Sequence, residues 1–485
     1  MKPHFDILVI GGGINGAAIA CDAAGRGATT ALVEERDFAE GTSSRSSKLI
    51  HGGLRYLETW DVRMVREALL EREVLMHKAP HLVTPIRLVL PHVPGRRPLW
   101  MIRAGLFLYD HLARRNTLPA SELLRLDRHP CGTPLKPELV RGFAYSDCRG
   151  DDARLVIANV LGAQAHGAAI LARHRFVSAA RAGDRWGIEL RRMRDGAAVA
   201  VTASALVNAA GPWVTRVAGT IAGTAIGRRL RLVKGSHVIV PRIWTGEHGY
   251  YLQTADGRTM EAFPFEDNFT AIGTTDEPWE REPQDVAIAE TEIDYMLAEV
   301  NRFFRSPVTR DSVIWTYAGV RPLFEVGGGR DSGLSTLTRD YAFEIDHHHG
   351  RCPLLTVFGG KLTTHRKLAE RGLDLLQPLQ PMPRPCRTAT EKLPGGEAID
   401  VAREYPWLPP GLAARYQRTY GSRTRDLLAA GRDLGRHLGG GLYEREVAFL
   451  RDTEWAETVD DIITRRTKLI LALKPREIEA LARLL

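Results

Sequence analysis

The opening of the chain constrains its fold more than any other stretch. Phe5 to Ile10 reads as a strand, Gly11-Gly12-Gly13-Ile14-Asn15-Gly16 as a glycine turn, and the small residues after it as a helix. A second strand, Thr29 to Val33, ends on Glu34. Three glycines at this spacing are weak evidence alone. Their setting is specific: Ala20 and Gly27 let a helix pack closely on a sheet, and an acid lies 18 residues beyond Gly16. Gly11 permits the tight turn, and Gly13 lets backbone approach a pyrophosphate with no side chain between. The phosphates would meet the amino end of the helix, where unpaired N–H groups and the dipole favour negative charge. Glu34 can accept both hydrogen bonds of an adenosine ribose and would repel the extra phosphate of NADP. The motif leaves FAD and NAD both open.

A chain of 485 residues accommodates two or three domains, and its 44% hydrophobic share supports substantial cores. Cys21, Cys131, Cys148, Cys352 and Cys386 lie far apart with no CxxC pair. That spacing argues against a zinc site or disulfide framework and suits a reducing compartment. The first strand begins at Phe5, leaving no room for a signal peptide, and no apolar run is long enough to span a bilayer. The net charge of +8 is carried mainly by arginine. It suits a solvated basic surface or affinity for a phosphorylated substrate, acidic lipid or nucleic acid. Without a zinc finger, an RNA-binding signature or basic–aromatic interleaving, nucleic acid is the least favoured.

Helices are expected at Val62–Lys78, Asp151–His166 and about His365–Leu376, with strands near Ala168–Ala172, Phe176–Ala182 and Trp186–Leu190. Pro80 to about Gly150, rich in Pro, Arg and Leu, is expected to wander. Ala203–Trp213 reads as a buried parallel strand that returns to the nucleotide-binding sheet and breaks at Gly211-Pro212. Residues 216–340 alternate short strands, such as His237–Pro241 and Thr270–Thr274, with turns. Gln377–Pro385 is a Pro-rich linker, and helical periodicity follows at Ala413–Tyr420, Tyr443–Thr453 and Ile462–Leu473. The chain therefore reads as an α/β protein. Residues 1–80, 151–215 and 340–376 form a discontinuous nucleotide-binding domain; 81–150 and 216–339 form a capping domain with a mixed sheet; 386–485 form a helical domain.

A second cofactor clue is Leu354–Phe358 running into Gly359-Gly360-Lys361-Leu362-Thr363-Thr364. A strand feeding two glycines into a helix aims free N–H groups above the sheet edge. Beside N1 and C2=O of an isoalloxazine they would stabilise anionic reduced flavin. With the strand at Leu206–Gly211, this favours FAD. Between Thr42 and Glu58 lie Ser43, Ser44, Ser46, Ser47, Lys48, His51 and Arg55, with Gly52-Gly53 forcing a turn. Leu49, Ile50, Leu54, Tyr56 and Leu57 would anchor this donor-rich segment to a core. Arg321 and Arg339 sit in similar turn-like settings, and arginine forks match phosphate oxygens bidentately. Together with Lys361 they suggest an anionic substrate pocket. The tract His347-His348-His349 is read as a hairpin tip rather than a metal site, since no acid or Cys cluster partners it.

These residues resemble the FAD-dependent (aerobic, respiratory) glycerol-3-phosphate dehydrogenases over nearly the whole chain. The resemblance is carried by Ile10–Gly27, Thr42–Glu58, Glu67–Arg72, Gly142–Asp152, Lys234–His237 and Ile272–Asp276. Trp315–Leu323, Thr338–Tyr341, Phe358–Leu368 and Arg465-Arg466-Thr467 extend it. It implies a glutathione-reductase/D-amino-acid-oxidase type FAD-binding fold with a helical C-terminal domain. It also implies oxidation of glycerol 3-phosphate to dihydroxyacetone phosphate, with electrons passing to a membrane quinone. By motif matching, Gly11, Gly13, Asn15, Gly16, Glu34, Thr42, Ser43, Ser46, Lys48, Leu49, Gly211, Gly359, Gly360, Leu362 and Thr363 would hold FAD. Arg55, Tyr56, Arg321, Arg339 and Lys361 would hold substrate, with Arg321 and Lys361 also at the reacting centre. His51 and His237 both remain candidates for the base. A peripheral enzyme on the cytoplasmic face of a bacterial inner membrane is implied, partly cytoplasmic, with a homodimer left open.

Three departures stand out: Met260-Glu261 where an apolar strand is expected, a glycine-rich Phe324–Ser335, and an early stop after Leu473. Pro94–Arg115 sets Arg96, Arg97, Arg103, Arg114 and Arg115 around Trp100, Leu106, Phe107 and Leu108, a pattern fit for an anionic lipid surface. Competing readings are an oxidase that passes electrons to oxygen, an enzyme acting on an amino acid, and a flavin-binding regulatory protein without turnover.

Overall fold

The computed structural model describes residues 3–58, 60–113, 117–325, 337–338 and 340–485. Arg339, Arg114, Arg115 and most of the glycine-rich departure lie outside them.

His4–Ile10 lies at the heart of an eight-stranded sheet, between Thr30–Val33 and Ala198–Asn208. Ala169–Leu171 extends one flank; Arg351–Gly359 and then Tyr341–His348 extend the other. The inner pairs are parallel. Such strands are buried on both faces, which is why they read as continuous apolar runs. Leu206 and Val207, fully buried in the returning strand, are an example. The hairpin His174–Ala182/Arg185–Arg192 joins the first half of Ala198–Asn208 antiparallel. The helices Ile14–Gly25, Asp152–Ala165 and His365–Leu376 pack together in the largest core, with the apolar side chains of the sheet. Small residues make the helix fit: a Cβ on Gly16 would lie 1.9 Å from the Gly11 carbonyl oxygen. The histidine tract ends the hairpin of the two last strands, exposed at His347–His349.

The stretch from Pro80 to Gly150 does not wander. It supplies Val83–Pro91 and Arg141–Gly150, paired antiparallel over nine residue pairs, and the helix Leu99–His111. Alternation is obscured there by Pro85 and Pro91 and by the buried polar residues Ser146 and Asp147. A second sheet runs in the order Leu337–Thr338, Trp315–Glu325, Leu230–Pro241, Phe269–Gly273, Thr259–Phe265, Gly249–Gln253, Val83–Pro91, Arg141–Gly150, Leu49–Ile50. One face packs on the helix Glu290–Val300 around Val238, Ile272 and Met260; the other holds Ile239, Phe263 and Tyr317 against Leu54, Leu57 and Leu69.

Residues beyond the linker form a third core from Pro410–Tyr420, Glu444–Glu454 and Pro475–Ala482, with one short hairpin, His437–Gly439/Leu442–Tyr443. The helix expected over Ile462–Leu473 is broken. Asp461–Arg466 winds as a π-helical turn, and Lys468 takes φ 57° before a 3-10 turn at Leu469–Leu471. The break points two successive arginines at one partner.

Candidate active site

The carboxyl ends of His4–Ile10, Ala198–Asn208 and Arg351–Gly359 meet at one edge of the first sheet, where strand order reverses. That crevice is the physical site for a dinucleotide in such sheets. Gly11 has φ 108°, and a Cβ there would lie 2.7 Å from the Ala209 carbonyl oxygen. At Gly13 an added Cβ would approach only Ser43 Oγ, at 3.1 Å, so the turn is open where a pyrophosphate would lie. Ser43 Oγ accepts the Ile14 N–H at 2.9 Å, tying the donor-rich segment to the amino end of the helix. Glu34 accepts N–H groups from Gly12 at 2.6 Å and Arg36 at 2.8 Å. Burial pushes its carboxyl up to about 7, against the pull of those two bonds.

Gly359 and Gly360 take φ 68° and 96°, and Asn15 donates to the Gly359 carbonyl at 3.0 Å while its Oδ1 is buried with no partner among the described residues. A Cβ on Gly360 would lie 2.8 Å from that amide. Leu362 and Thr363 open the following helix, and Thr363 Oγ1 accepts the His51 N–H at 3.3 Å. Gly211, at φ 55°, lies beside this edge. An orphaned buried amide oxygen, a cradle that a Cβ would fill and a buried acid at the end of the second strand all suit FAD. Bound there, FAD would supply a hydride acceptor.

The structure brings Thr42–Leu49 between the two sheets. Thr42 Oγ1 donates to the Val320 carbonyl at 2.6 Å, and Leu49 pairs with Arg149 at the end of the second sheet. Ser46 and Lys48, expected at the cofactor, are turned toward Asp152, whose Oδ2 accepts Ser46 Oγ at 2.7 Å and Lys48 Nζ at 2.9 Å. Lys48 Nζ also stands 4.6 Å from the Tyr317 ring centre.

On the second sheet, directly opposed residues place Tyr251, Glu261, Gly273, His237 and Tyr317 in one row. Opposed residues share a face. His237 is 1% exposed, and its ring lies over Gly273, where a Cβ would come within 2.2 Å. Burial first, then Lys48 and Arg321, lower its pKa well below the usual 6.5. Arg321 lies four residues along the strand from Tyr317, on the same face, held by Asp276 and by Thr274 Oγ1 at 3.0 Å. Lys361 Nζ sits 4.0 Å from the Tyr56 ring centre and 3.0 Å from Met64 Sδ. Arg55 is in the Leu54–Leu57 turn, and its charge acts on the Tyr251 phenol together with that of Glu261. Asp152, Asp276 and Tyr317 lie in stretches that carry the resemblance and Met64 outside them, but none is assigned a role from sequence, because each lies far along the chain from the residue it serves.

Residues 6–366 match the family described as FAD dependent oxidoreductase, and 386–485 match the C-terminal domain of alpha-glycerophosphate oxidase. A glycerol-3-phosphate dehydrogenase of Pseudomonas aeruginosa is 50% identical, covering 98% of this chain and 93% of that protein. A D-erythritol 1-phosphate dehydrogenase of Brucella abortus is 49% identical, covering 97% and 96%. Among solved structures, the glycerol-3-phosphate dehydrogenase from Bacillus halodurans complexed with FAD superposes with a TM-score of 0.77 at 29% identity, over 96% of this chain and 86% of that one. With matches spanning both the nucleotide-binding core and the C-terminal domain, the chain belongs to the family of FAD-dependent oxidoreductases.

Proposed function

We propose that this enzyme oxidises the secondary alcohol of glycerol 3-phosphate to dihydroxyacetone phosphate. The carrying observation is that Arg321 and His237 share the face of the second sheet that meets the Thr42–Leu49 segment, which Ser43 ties to the amino end of the first helix. Arg321, Arg55 and Lys361 supply positive charge for the phosphate, joined by Arg339 through its motif. His237, neutral in its buried setting, takes the hydroxyl proton as the carbinol carbon loses its hydride. Asp276 and Thr274 hold the Arg321 fork in place, and the Tyr317 ring fixes the imidazole plane. His51 is linked through its backbone to Thr363, which supports a role in shaping the flavin turn. Electrons then pass to a quinone at a membrane surface, which the exposed face of Leu99–His111 suits: Trp100 is 70% and Phe107 63% exposed, while Leu106 is buried.

An anaerobic titration with glycerol 3-phosphate tests this, read at the oxidised flavin band at about 450 nm. Bleaching, with colour returning faster on quinone than on air, is the expected result. Colour returning equally fast on air would make the enzyme an oxidase, and no bleaching would remove the substrate.

A second reading of the substrate rests on Glu261. It points to the same face as His237, in a strand whose members beyond Thr259 are otherwise apolar or proline. A relative 49% identical is a D-erythritol 1-phosphate dehydrogenase, and a carboxylate in this row would accept the additional hydroxyl of a four-carbon polyol phosphate. Equal or better kcat/KM for erythritol 1-phosphate than for glycerol 3-phosphate, with that preference lost in Glu261→Gln, would establish this reading. Preference for glycerol 3-phosphate in both proteins would dismiss it.

A further inference from the structure

The Arg465-Arg466 pair has no place in the reaction, yet it reaches the loop that backs the glycine turn. Both guanidinium groups converge on Asp37, three residues beyond Glu34. Arg466 grips it with two bonds of 2.7 Å, and Arg465 Nε donates to it at 2.6 Å. All three are buried: Asp37 and Arg466 are each 1% exposed and Arg465 4%. Successive residues of a regular α-helix point about 100° apart; the π-helical turn Asp461–Arg466 brings both to one carboxylate. Arg466 is fixed in turn by the Glu454 carbonyl at 2.7 Å, and Arg465 by Asp461 at 2.6 Å.

From Asp37 the contact runs directly into the dinucleotide turn. Phe38, fully buried, meets Trp455 of the C-terminal domain edge to face, with centroids 5.4 Å apart. Its ring backs Gly12 so closely that a Cβ there would lie 2.5 Å away. Ala39 N–H donates to the Gly12 carbonyl at 3.1 Å, while Gly12 N–H donates to Glu34 at 2.6 Å. The loop from Glu34 to Ala39 is thus bonded to Gly12 of the glycine turn at both ends and clamped by the C-terminal domain in the middle.

We propose that Arg465 and Arg466 are positioning residues for the adenosine end of FAD: through Asp37 they hold the loop that presents Glu34 and backs Gly12. Simple docking of the C-terminal domain has other means. Arg154 forks onto Glu454, and Lys468 pairs with Asp151, both against the helix Asp152–Ala165. Only the Asp37 contact, among these, touches the turn.

The experiment is titration of FAD into apoprotein of the full chain, followed by flavin fluorescence well below the melting transition. Arg466→Met is expected to raise the FAD Kd at least about tenfold, because a buried carboxylate loses its fork. Arg466→Lys, keeping the charge, should recover part of the loss. Arg154→Met, which breaks a docking pair but removes none of the bonds to Asp37, should lower Tm and leave the FAD Kd within about twofold. A Kd for Arg466→Met within that twofold range, or an equal loss in Arg154→Met, would overturn the proposal. If Arg466→Met does not fold, Arg466→Lys and Asp37→Asn are judged by the same limits, with circular dichroism showing that each is folded.

Discussion

The imidazole of His237 lies flat on the phenol ring of Tyr317, with centroids 4.6 Å apart and planes inclined by 10°. Neither ring nitrogen has a hydrogen-bond partner among the described residues. A buried polar group left in that condition costs stability, so its retention at this face points to use by a ligand. Replacing it by His237→Asn is predicted to lower kcat by about 10²–10⁴ while leaving the flavin spectrum intact. Because its pKa lies well below 6.5, kcat/KM should hold through pH 6.5 and fall only in more acid solution. The same depression means that the folded protein holds this contribution above pH 6.5 and loses stability as pH falls through it. An acid limb centred at or above 6.5, unchanged in the variant, would take His237 out of the reaction.

Legibility followed distance along the chain. The first sheet could be read because its parallel strands are uninterrupted apolar runs and its glycines sit where only glycine fits, as Gly16 does against the Gly11 carbonyl. The second sheet was half hidden. Val83–Pro91 and Arg141–Gly150 carry prolines, arginines and a buried aspartate among their apolar residues, so period-2 alternation is blurred. Arg321 and Lys361 stood out by composition and setting, but their partners did not. Asp152 holds Lys48 from 104 residues away, and Asp276 holds Arg321 from 45. No local pattern announces such pairs. The broken helix at Asp461–Arg466 shows the converse: its periodicity was sound, and tertiary ion pairs with Asp37 overrode it.

Arg321 is predicted to bind the phosphate or the developing oxyanion as a fork already set by Asp276 and Thr274. Charge-assisted bonds contribute about 1.5–3 kcal/mol each, so Arg321→Ala should raise the apparent substrate constant roughly tenfold or more. Arg321→Lys should recover little, because one ammonium cannot satisfy both partners and the ligand. An unchanged substrate constant in Arg321→Ala would place the residue outside the site.

Asp152 is the anchor beneath the donor-rich segment. It takes Lys48 at 2.9 Å and Ser46 at 2.7 Å with its side chain wholly buried. Removing it strands an ammonium that is 7% exposed, which costs about 3–5 kcal/mol when a buried pair is broken from one side. Asp152→Ala should therefore unfold at distinctly lower urea concentration than wild type. A shift equivalent to less than about 1 kcal/mol, the usual worth of a surface pair, would show that solvent screens this site.

The helix Leu99–His111 presents Trp100 and Phe107 outward, with Arg103 exposed beside them, while Ile102, Leu106 and Tyr109 face the core. Among the described residues, no helix is long and apolar enough to cross a membrane. Fully burying each outward aromatic is worth about 1.5–3 kcal/mol. The double variant Trp100→Ser/Phe107→Ser should weaken partition onto anionic vesicles by at least roughly tenfold, with anaerobic flavin reduction by substrate unchanged. Equal vesicle binding by the two proteins would move the attachment site elsewhere.

Glu34 makes cofactor affinity depend on pH in a direction that can be worked out. Burial raises its carboxyl to about 7 in the folded chain, from a usual 4.5. A raised carboxyl favours the protonated folded state, so this group's contribution to the stability of the apoprotein improves as pH falls from 7 toward 4.5. Ribose hydroxyls donate their bonds best to the ionised form, which lowers the pKa on binding. FAD uptake must then release a proton in the neighbourhood of pH 7, and affinity must rise as pH rises through that value. Glu34→Gln, which keeps an acceptor but cannot ionise, should flatten the dependence and weaken binding at pH 8. Fluorescence titration of FAD across pH 6 to 8 in both proteins measures this. Parallel pH dependences would show that some other group carries the proton and that Glu34 serves only to brace Gly12.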